Sequence, residues 1–400
     1  MPITETAQDA HVPGRTAREA RPGNGGTGVS RGPTRIALVL PALPIGGAER
    51  ASVNLVSEFV QLGRDVAVCL LRAEGGLVSA VEALPVDVFD LSMRSPRHAA
   101  VAVGRLARFL SSWRPDVVYP TLWSATAVAG AASALTRKGF RMVTVEHNVL
   151  PWYAARVRFG RLKMNAVVSV HRRADRVIVP SPLVRQELMK LGVRPQGIRV
   201  IPNPVQIPED ATPSDPSASR PVVLACVGRL FRYKGIQHVI RAVSILRREM
   251  GVDVLLKVAG EGPRMAELRA LAADLGVGGQ VLFHGWVQDM SAFYRASDVV
   301  VHVAESESFG NVVAEAMAHA RPVLVSAALL KSLPFIRPDH NVLVTTGTPL
   351  DIAKRLSRGL EEPGYLRRIA HQARVDVMRA CDPQVVARGY LDAAAESCDA

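Results

Sequence analysis

From Ala296 to Ser326 an apolar run (Val299 to Val303), a Phe309-Gly310 turn, a helical pattern (Val312, Val313, Ala316, Met317) and a second apolar run (Pro322 to Val325) follow one another. Two strands joined through a helix in this way pair in parallel, and their crossover is right-handed. The same alternation is legible along most of the chain. It opens with a strand from Arg35 to Leu40, a loop from Pro41 to Gly47, an amphipathic helix from about Ala48 to Leu62 that Gly63 ends, and a strand from Asp65 to Leu71. Further strands read at Val86 to Phe89, Val117 to Tyr119, Met142 to Val145 and Arg176 to Val179. A second series starts at Val222 to Val227 and runs through Val254 to Ala259 and Val281 to Phe283 into the segment above. Between the two series, residues 203–221 are rich in Pro, Ser and Asp and read as a connection. The expectation is an α/β chain with domains at residues 34–206 and 221–380 and a linker at 207–220. Residues 1–33, rich in Gly, Pro, Thr and Arg, read as a disordered tail, and residues 381–400 as a C-terminal helix packing back on the first domain. A chain of 400 residues, 48% of them hydrophobic, can fill two cores.

The pattern also places chemistry. Glu307 falls on the loop leaving a strand, and Glu315 about one turn into the next helix. The helix start between them offers unpaired N–H groups and the positive end of the helix dipole, which suits an anion such as phosphate. Two carboxylates beside an anion cradle can accept hydrogen bonds from sugar hydroxyls, so the segment reads as a nucleotide-sugar site. After the strand that opens the second series come Gly228, which lets the chain turn, and Arg229 and Lys234, a guanidinium and an ammonium able to converge on a diphosphate. Gly46 and Gly47 follow the first strand and permit close backbone approach to a ligand at a helix start. They do not form the G-x-G-x-x-G fingerprint of dinucleotide enzymes. His147 sits at the end of a strand, where it can orient a hydroxyl, with Glu146 and Asn148 as weaker candidates beside it.

Glu307 and Glu315, with Phe309-Gly310 between them, the Asp298 to Val301 run before and the Arg321 to Val325 run after, resemble the Glu-x7-Glu motif of retaining GT-B glycosyltransferases. The resemblance is to the large group 1, or family 4, type, which includes bacterial mannosyl- and N-acetylhexosaminyl-transferases. It covers most of the chain. It implies two Rossmann-like domains with parallel sheets facing across a cleft, a donor nucleotide sugar on the second domain and an acceptor on the first. It implies retention of anomeric configuration with no metal and no cofactor. Carried onto this sequence, His147, Arg229, Lys234 and Glu307 take catalytic roles. Gly46, Gly47, Gly228, Val287, Phe309, Gly310, Asn311, Val312 and Glu315 take donor-binding roles, with Glu315 on the ribose, Glu307 on the sugar, and amides from Phe309 to Val312 on the sugar and the distal phosphate. The segments Ala259 to Pro263 and Phe283 to Val287 would line the base pocket, and Trp286 either joins them or simply packs. One segment departs from the family: Leu333-Pro334-Phe335 stands where an acidic residue after proline is usual, which puts the rim of the donor site in question.

Charge narrows the partners. Residues 34–206 hold 23 Lys and Arg against 11 Asp and Glu, a net of +12, whereas residues 207–400 hold 22 of each. Such asymmetry favours an anionic partner for the first half. The stretch from Trp152 to Met164 interleaves aromatic and basic residues in the manner of an interfacial helix. No run is apolar and long enough to span a bilayer, the start of the chain lacks a signal-peptide core, and four scattered cysteines carry no metal spacing. The expected enzyme is a glycosyltransferase at the inner face of the plasma membrane. It takes a UDP-hexose or UDP-N-acetylhexosamine and a polyprenyl-diphosphate-linked glycan acceptor for cell-surface polysaccharide or glycoconjugate synthesis, and binds no nucleic acid. The rival readings are a transferase acting on a soluble small acceptor, a phosphorylase or sugar-nucleotide epimerase on the same fold, and a basic nucleic-acid-binding protein. The last would leave the Glu307 and Arg229 segments unexplained.

Overall fold

The computed structural model describes residues 33–136, 139–214, 216, 221–362 and 364–396. The tail expected at residues 1–33 lies outside the described residues apart from Pro33, as do residues 215 and 217–220 of the expected linker and Cys398.

The first sheet is built from β1 (Arg35–Leu40), β2 (Asp65–Leu70), β3 (Asp87–Asp90), β4 (Val117–Pro120), β5 (Arg141–Val145), β6 (Arg176–Val179) and β7 (Ile198–Val200). The second contains β8 (Val222–Val227), β9 (Val254–Ala259), β10 (Val281–Gly285), β11 (Val299–His302), β12 (Val323–Ser326) and β13 (Leu343–Thr345). Their orders are β3-β2-β1-β4-β5-β6-β7 and β10-β9-β8-β11-β12-β13, and neighbouring strands run parallel throughout. Strands covered by helices on both faces have no solvent side, so β1 and β11 read as continuous apolar runs and not as alternating ones. The sequence reading lacks β7 and β13. Each is a three-residue edge strand, too short to carry a pattern of its own.

Each sheet has its own core. In the first, the helix Gly47–Gln61 buries Leu55, Val56 and Phe59, and Phe59 stacks on Tyr119 with ring centroids 5.9 Å apart. The helix Pro383–Ala395 enters the same core through Val386, Ala387, Tyr390 and Leu391. Tyr119 donates its hydroxyl to the Tyr390 carbonyl at 2.7 Å, and the Arg141 guanidinium donates to the carbonyls of Ala394 and Glu396 at 2.6 Å. The preceding helix, Tyr365–Cys381, instead buries Ala373, Val377 and Cys381 with the second half. The chain therefore crosses between the halves twice. The crossings are tied together where the Val205 N–H donates to the Cys381 carbonyl at 2.9 Å.

The order of strands reverses between β1 and β4 in one sheet and between β8 and β11 in the other. In open parallel sheets, ligands bind beyond the carboxyl ends of the strands at such a reversal. The two reversals fix where a site can form.

Candidate active site

Both reversals open onto one cleft of about 750 Å³. The first half lines it with Gly46, Gly47 and Glu49 after β1, Leu122 to Ser124 after β4, His147 and Asn148 after β5, and Asn203. The second half supplies Gly228, Arg229 and Lys234 after β8 and residues 306–312 after β11. Of the residues singled out by sequence, His147, Arg229, Lys234, Glu307, Gly46, Gly47, Gly228, Phe309, Gly310, Asn311 and Val312 meet here. Glu315 and Val287 stand outside this lining. Glu315 sits inside the helix Asn311–Ala318, where its Oε2 accepts a hydrogen bond from the buried Tyr294 hydroxyl at 2.9 Å. Burial raises its carboxyl pKa, against the hydrogen bond from Tyr294 and the charge of Arg50. Val287 is half-buried and packs on the second half's core. Trp286 beside it is 51% exposed and lies under the Arg50 guanidinium of the first half, 5.8 Å from the ring centre, so it is not buried packing.

The cation and the carboxylate at the strand ends form one unit. Lys234 Nζ donates to Glu307 Oε1, and His302 Nε2 lies 3.0 Å from the same oxygen. Burial opposes charge on Glu307, yet the hydrogen bond from His302 and the Lys234 ammonium overcome it and hold the carboxyl at about 2. Arg229 is exposed, braced by the Tyr233 hydroxyl at 3.3 Å and the face of Phe231. Glu49 faces it from the first half; burial raises the Glu49 carboxyl and Arg229 opposes the rise. Phe309 is core, edge-on to Phe335 with centroids 6.3 Å apart. Its position leaves the backbone, not the ring, for a ligand. The Leu333-Pro334-Phe335 segment thus has a packing role. Leu333 is buried beneath Gly310, and neighbouring Ser332 donates its hydroxyl to the Glu307 carbonyl at 2.7 Å.

The halves touch where residues the sequence reading missed, Asn203 and Ser181, meet the loop and helix start after β11. Asn203 Nδ2 donates to Asn311 Oδ1 at 2.9 Å, and Ser181 Oγ donates to the Ser308 carbonyl at 2.5 Å. A Cβ on Gly47 would fall 2.1 Å from Asn311 Nδ2, so any larger residue there would force the Asn311 side chain to move and disturb its bond with Asn203. Asn203 was hidden in a Pro-rich stretch, and its partner lies 108 residues away. His302 was hidden in a valine run; a lone polar residue ending a buried strand was the available signal. Leu122, at φ 69° and ψ 164°, holds a backbone conformation that side chains disfavour, and such strain gathers at functional sites.

His147 is buried, and burial lowers its pKa to about 4, against the charge of Glu146 and a hydrogen bond with Asn203. It is therefore neutral near pH 7. The fully buried Glu146 turns away from the cleft, its oxygens 2.8 Å from the Asn148 N–H and 3.4 Å from His171 Nε2. Because the unfolded chain binds a proton on His147 near pH 6.5 and the folded chain resists it, the stabilising contribution is complete above pH 6.5. It is lost as pH falls toward 4. Urea unfolding at pH 7.5 and 5.0 should show a loss of about 2 kcal/mol from this group, and His147→Gln should abolish that part of the slope.

The aromatic-basic stretch is not one interfacial helix. A short helix, Leu150–Ala154, ends, the chain turns, and a second helix starts at Gly160, packed so tightly that a Cβ there would lie 1.9 Å from the Ala154 carbonyl oxygen. Trp152 and Tyr153 face the cleft, edge-on to Tyr233 and Trp123 at 5.4 and 4.8 Å. The turn and the first turn of the second helix expose Phe159 at 64% and Leu162 at 71%, among exposed Arg156, Arg158, Arg161 and Lys163.

Comparison with known proteins gives the class first. The fold matches the HepE protein (Alr3699) of Anabaena, solved in complex with UDP-glucose, with a TM-score of 0.76 at 22% identity over 90% of this chain and 98% of that one. This is the GT-B architecture. A model described as Glycosyl transferases group 1 matches residues 209–376, and one described as Glycosyltransferase Family 4 matches residues 45–209. The chain belongs to the group 1 glycosyltransferases. Among curated relatives, the lipopolysaccharide core biosynthesis glycosyltransferase LpsE of Rhizobium meliloti (strain 1021) is 28% identical over 249 residues, 61% of this chain and 71% of the relative. LpsD of the same organism, named for the same process, is 23% identical over 356 residues, 87% of this chain and 94% of the relative.

Proposed function

We propose that the enzyme transfers a hexosyl or N-acetylhexosaminyl group from a UDP-sugar, with retention at the anomeric carbon, to a lipid-linked glycan acceptor used for a cell-surface glycan. The observation that carries this reading is the meeting of Arg229, Lys234 and Glu307 in one cleft that the helix start at Gly310–Asn311 also lines. Arg229 and Lys234 take the diphosphate and stabilise the charge that grows on it as the glycosidic bond breaks. Glu307 accepts hydrogen bonds from hydroxyls of the sugar, and amides of residues 309–312 meet the sugar and the distal phosphate. Glu315 holds the ribose. His147, neutral, orients a hydroxyl of the sugar from the first half. The leaving phosphate takes the acceptor's proton, so no separate protein base is needed. The names of LpsE and LpsD support a glycan acceptor, and the UDP-glucose held by HepE supports the donor.

A thermal-shift screen of UDP-, GDP- and dTDP-sugars tests the donor. A ligand at about 100 times its dissociation constant should stabilise the fold by roughly 2.7 kcal/mol. Failure of every UDP-sugar would remove this donor class, and proton NMR of the product's anomeric signal would decide retention.

In this reading the first half adsorbs peripherally on an anionic membrane, at the cytoplasmic face, and takes its polyprenyl-diphosphate-linked acceptor there. Among the described residues no helix is long and apolar enough to cross a membrane. Exposed Phe159 and Leu162 supply an apolar contact, and each surrounding cation contributes about 1 kcal/mol at an anionic surface. Co-sedimentation should show binding to anionic but not neutral vesicles, lost on raising salt and weakened by charge reversal at Arg158, Arg161 and Lys163. Equal recovery in the supernatant with both vesicle types would leave a soluble acceptor instead.

A further inference from the structure

We infer that His302 is a positioning residue of the transfer reaction: from beneath the loop that lines the cleft, its Nε2–H and the Lys234 ammonium together fix one oxygen of Glu307 and leave the other to the donor sugar. The inference rests on the donor reading above.

The first ground is where His302 stands. β11 lies in the middle of the second sheet, and Val299, Val300 and Val301 are at most 1% exposed. The strand's last residue, His302, is only 3% exposed. An imidazole in such a strand is costly unless its polar atoms are matched. Its Nε2 is matched by Glu307 Oε1 at 3.0 Å. A carboxylate only accepts hydrogen bonds, so the ring carries a proton on Nε2.

The second ground is convergence. Lys234 arrives from the loop after β8 and donates to that same oxygen, so two donors from different strands hold one oxygen of the carboxylate. The backbone beside it is held as well, by Ser332 on the Glu307 carbonyl and Ser181 on the Ser308 carbonyl. Oε2 is the remaining acceptor, on a residue that lines the cleft. Lys234 has three N–H groups and can serve Glu307 and a phosphate together. His302, sealed under the loop, is out of reach of the donor and can act only through Glu307.

The test uses the full chain with UDP-glucose as probe. His302→Phe keeps bulk and removes the donor N–H. His302→Gln returns an N–H at similar reach. His302→Asn, too short to touch Glu307, repeats the loss in a smaller side chain should the Phe variant not fold. Expected for Phe or Asn is a roughly 10- to 100-fold fall in kcat for UDP release, with UDP affinity within about twofold of wild type and recovery in Gln. A folded Phe or Asn variant with wild-type kcat, or one losing UDP affinity in step with kcat, would overturn the inference. A second measurement needs no donor. In carboxyl-¹³C-glutamate protein, with the Glu307 signal assigned through Glu307→Gln, the carboxyl should titrate at lower pH in wild type and His302→Gln than in His302→Phe or His302→Asn. Lys234 and His302 are the charged or titratable groups hydrogen-bonded to it. If UDP-glucose is not turned over at all but this difference is found, glucose is excluded as the donor sugar while the hold on Glu307 stands. Equal titration in all variants removes that hold.

Discussion

Lys234→Ala is expected to lower turnover of the UDP-sugar by about 10²–10³-fold, a barrier increase of about 2.7–4 kcal/mol, and also to lower stability, because it breaks the pair with Glu307 from one side. The Lys234 side chain is only 13% exposed, and its ammonium is already pinned by Glu307, so it spends little freedom in meeting a phosphate. A fixed charge in a partly dry cleft acts on the leaving diphosphate more strongly than one in water. Arg229→Ala should fall in the same direction but less far, because the Arg229 guanidinium is exposed and is screened by solvent. Steady-state UDP release, with unfolding temperatures measured in parallel, checks both. Near-normal turnover in a folded Lys234→Ala variant would take that residue out of the clamp.

The features legible in the sequence were those written locally. β1, β6, β8 and β9 could be bounded to the residue because a buried parallel strand is mostly apolar, interrupted here only by Arg35, Arg176 and Lys257, and Gly63 could be seen to end a helix. The loops carrying Gly228 to Lys234 and Glu307 to Val312 stood out because charges and glycines directly after such runs have little structural reason to be there. What stayed hidden depends on contacts between distant segments. Asn203 gains meaning only from Asn311, and His302 only from a loop that folds back over it. The Trp152 to Met164 stretch has the composition of an interfacial helix. Its path is set by the close approach of Gly160 to Ala154 and by Tyr233 of the other half, neither of which shows in a periodicity.

The two carboxylates of the motif should separate when removed. Glu307→Ala leaves the mostly buried Lys234 ammonium and the His302 N–H without their shared acceptor. Breaking a buried pair from one side costs about 3–5 kcal/mol, so urea unfolding should register a large loss of stability. The sign with pH follows from the lowered pKa. Wild type gains from Glu307 above its unfolded value near 4.5 and loses that gain as pH falls toward about 2, whereas the variant has nothing there to lose. Turnover should collapse because the sugar loses its acceptor. UDP affinity should hold or rise slightly, because Lys234 is released toward the phosphates. Glu315→Ala should do the reverse. Its carboxylate is steadied by Tyr294 and lies away from Lys234, so its loss should weaken UDP itself, by the roughly 1.5–3 kcal/mol of a charged hydrogen bond, with the Lys234 clamp intact. Calorimetric titration of UDP into both variants decides. If Glu307→Ala loses UDP while Glu315→Ala keeps it, the ribose and sugar assignments are exchanged, and Lys234 reaches the phosphates only when Glu307 holds it in place.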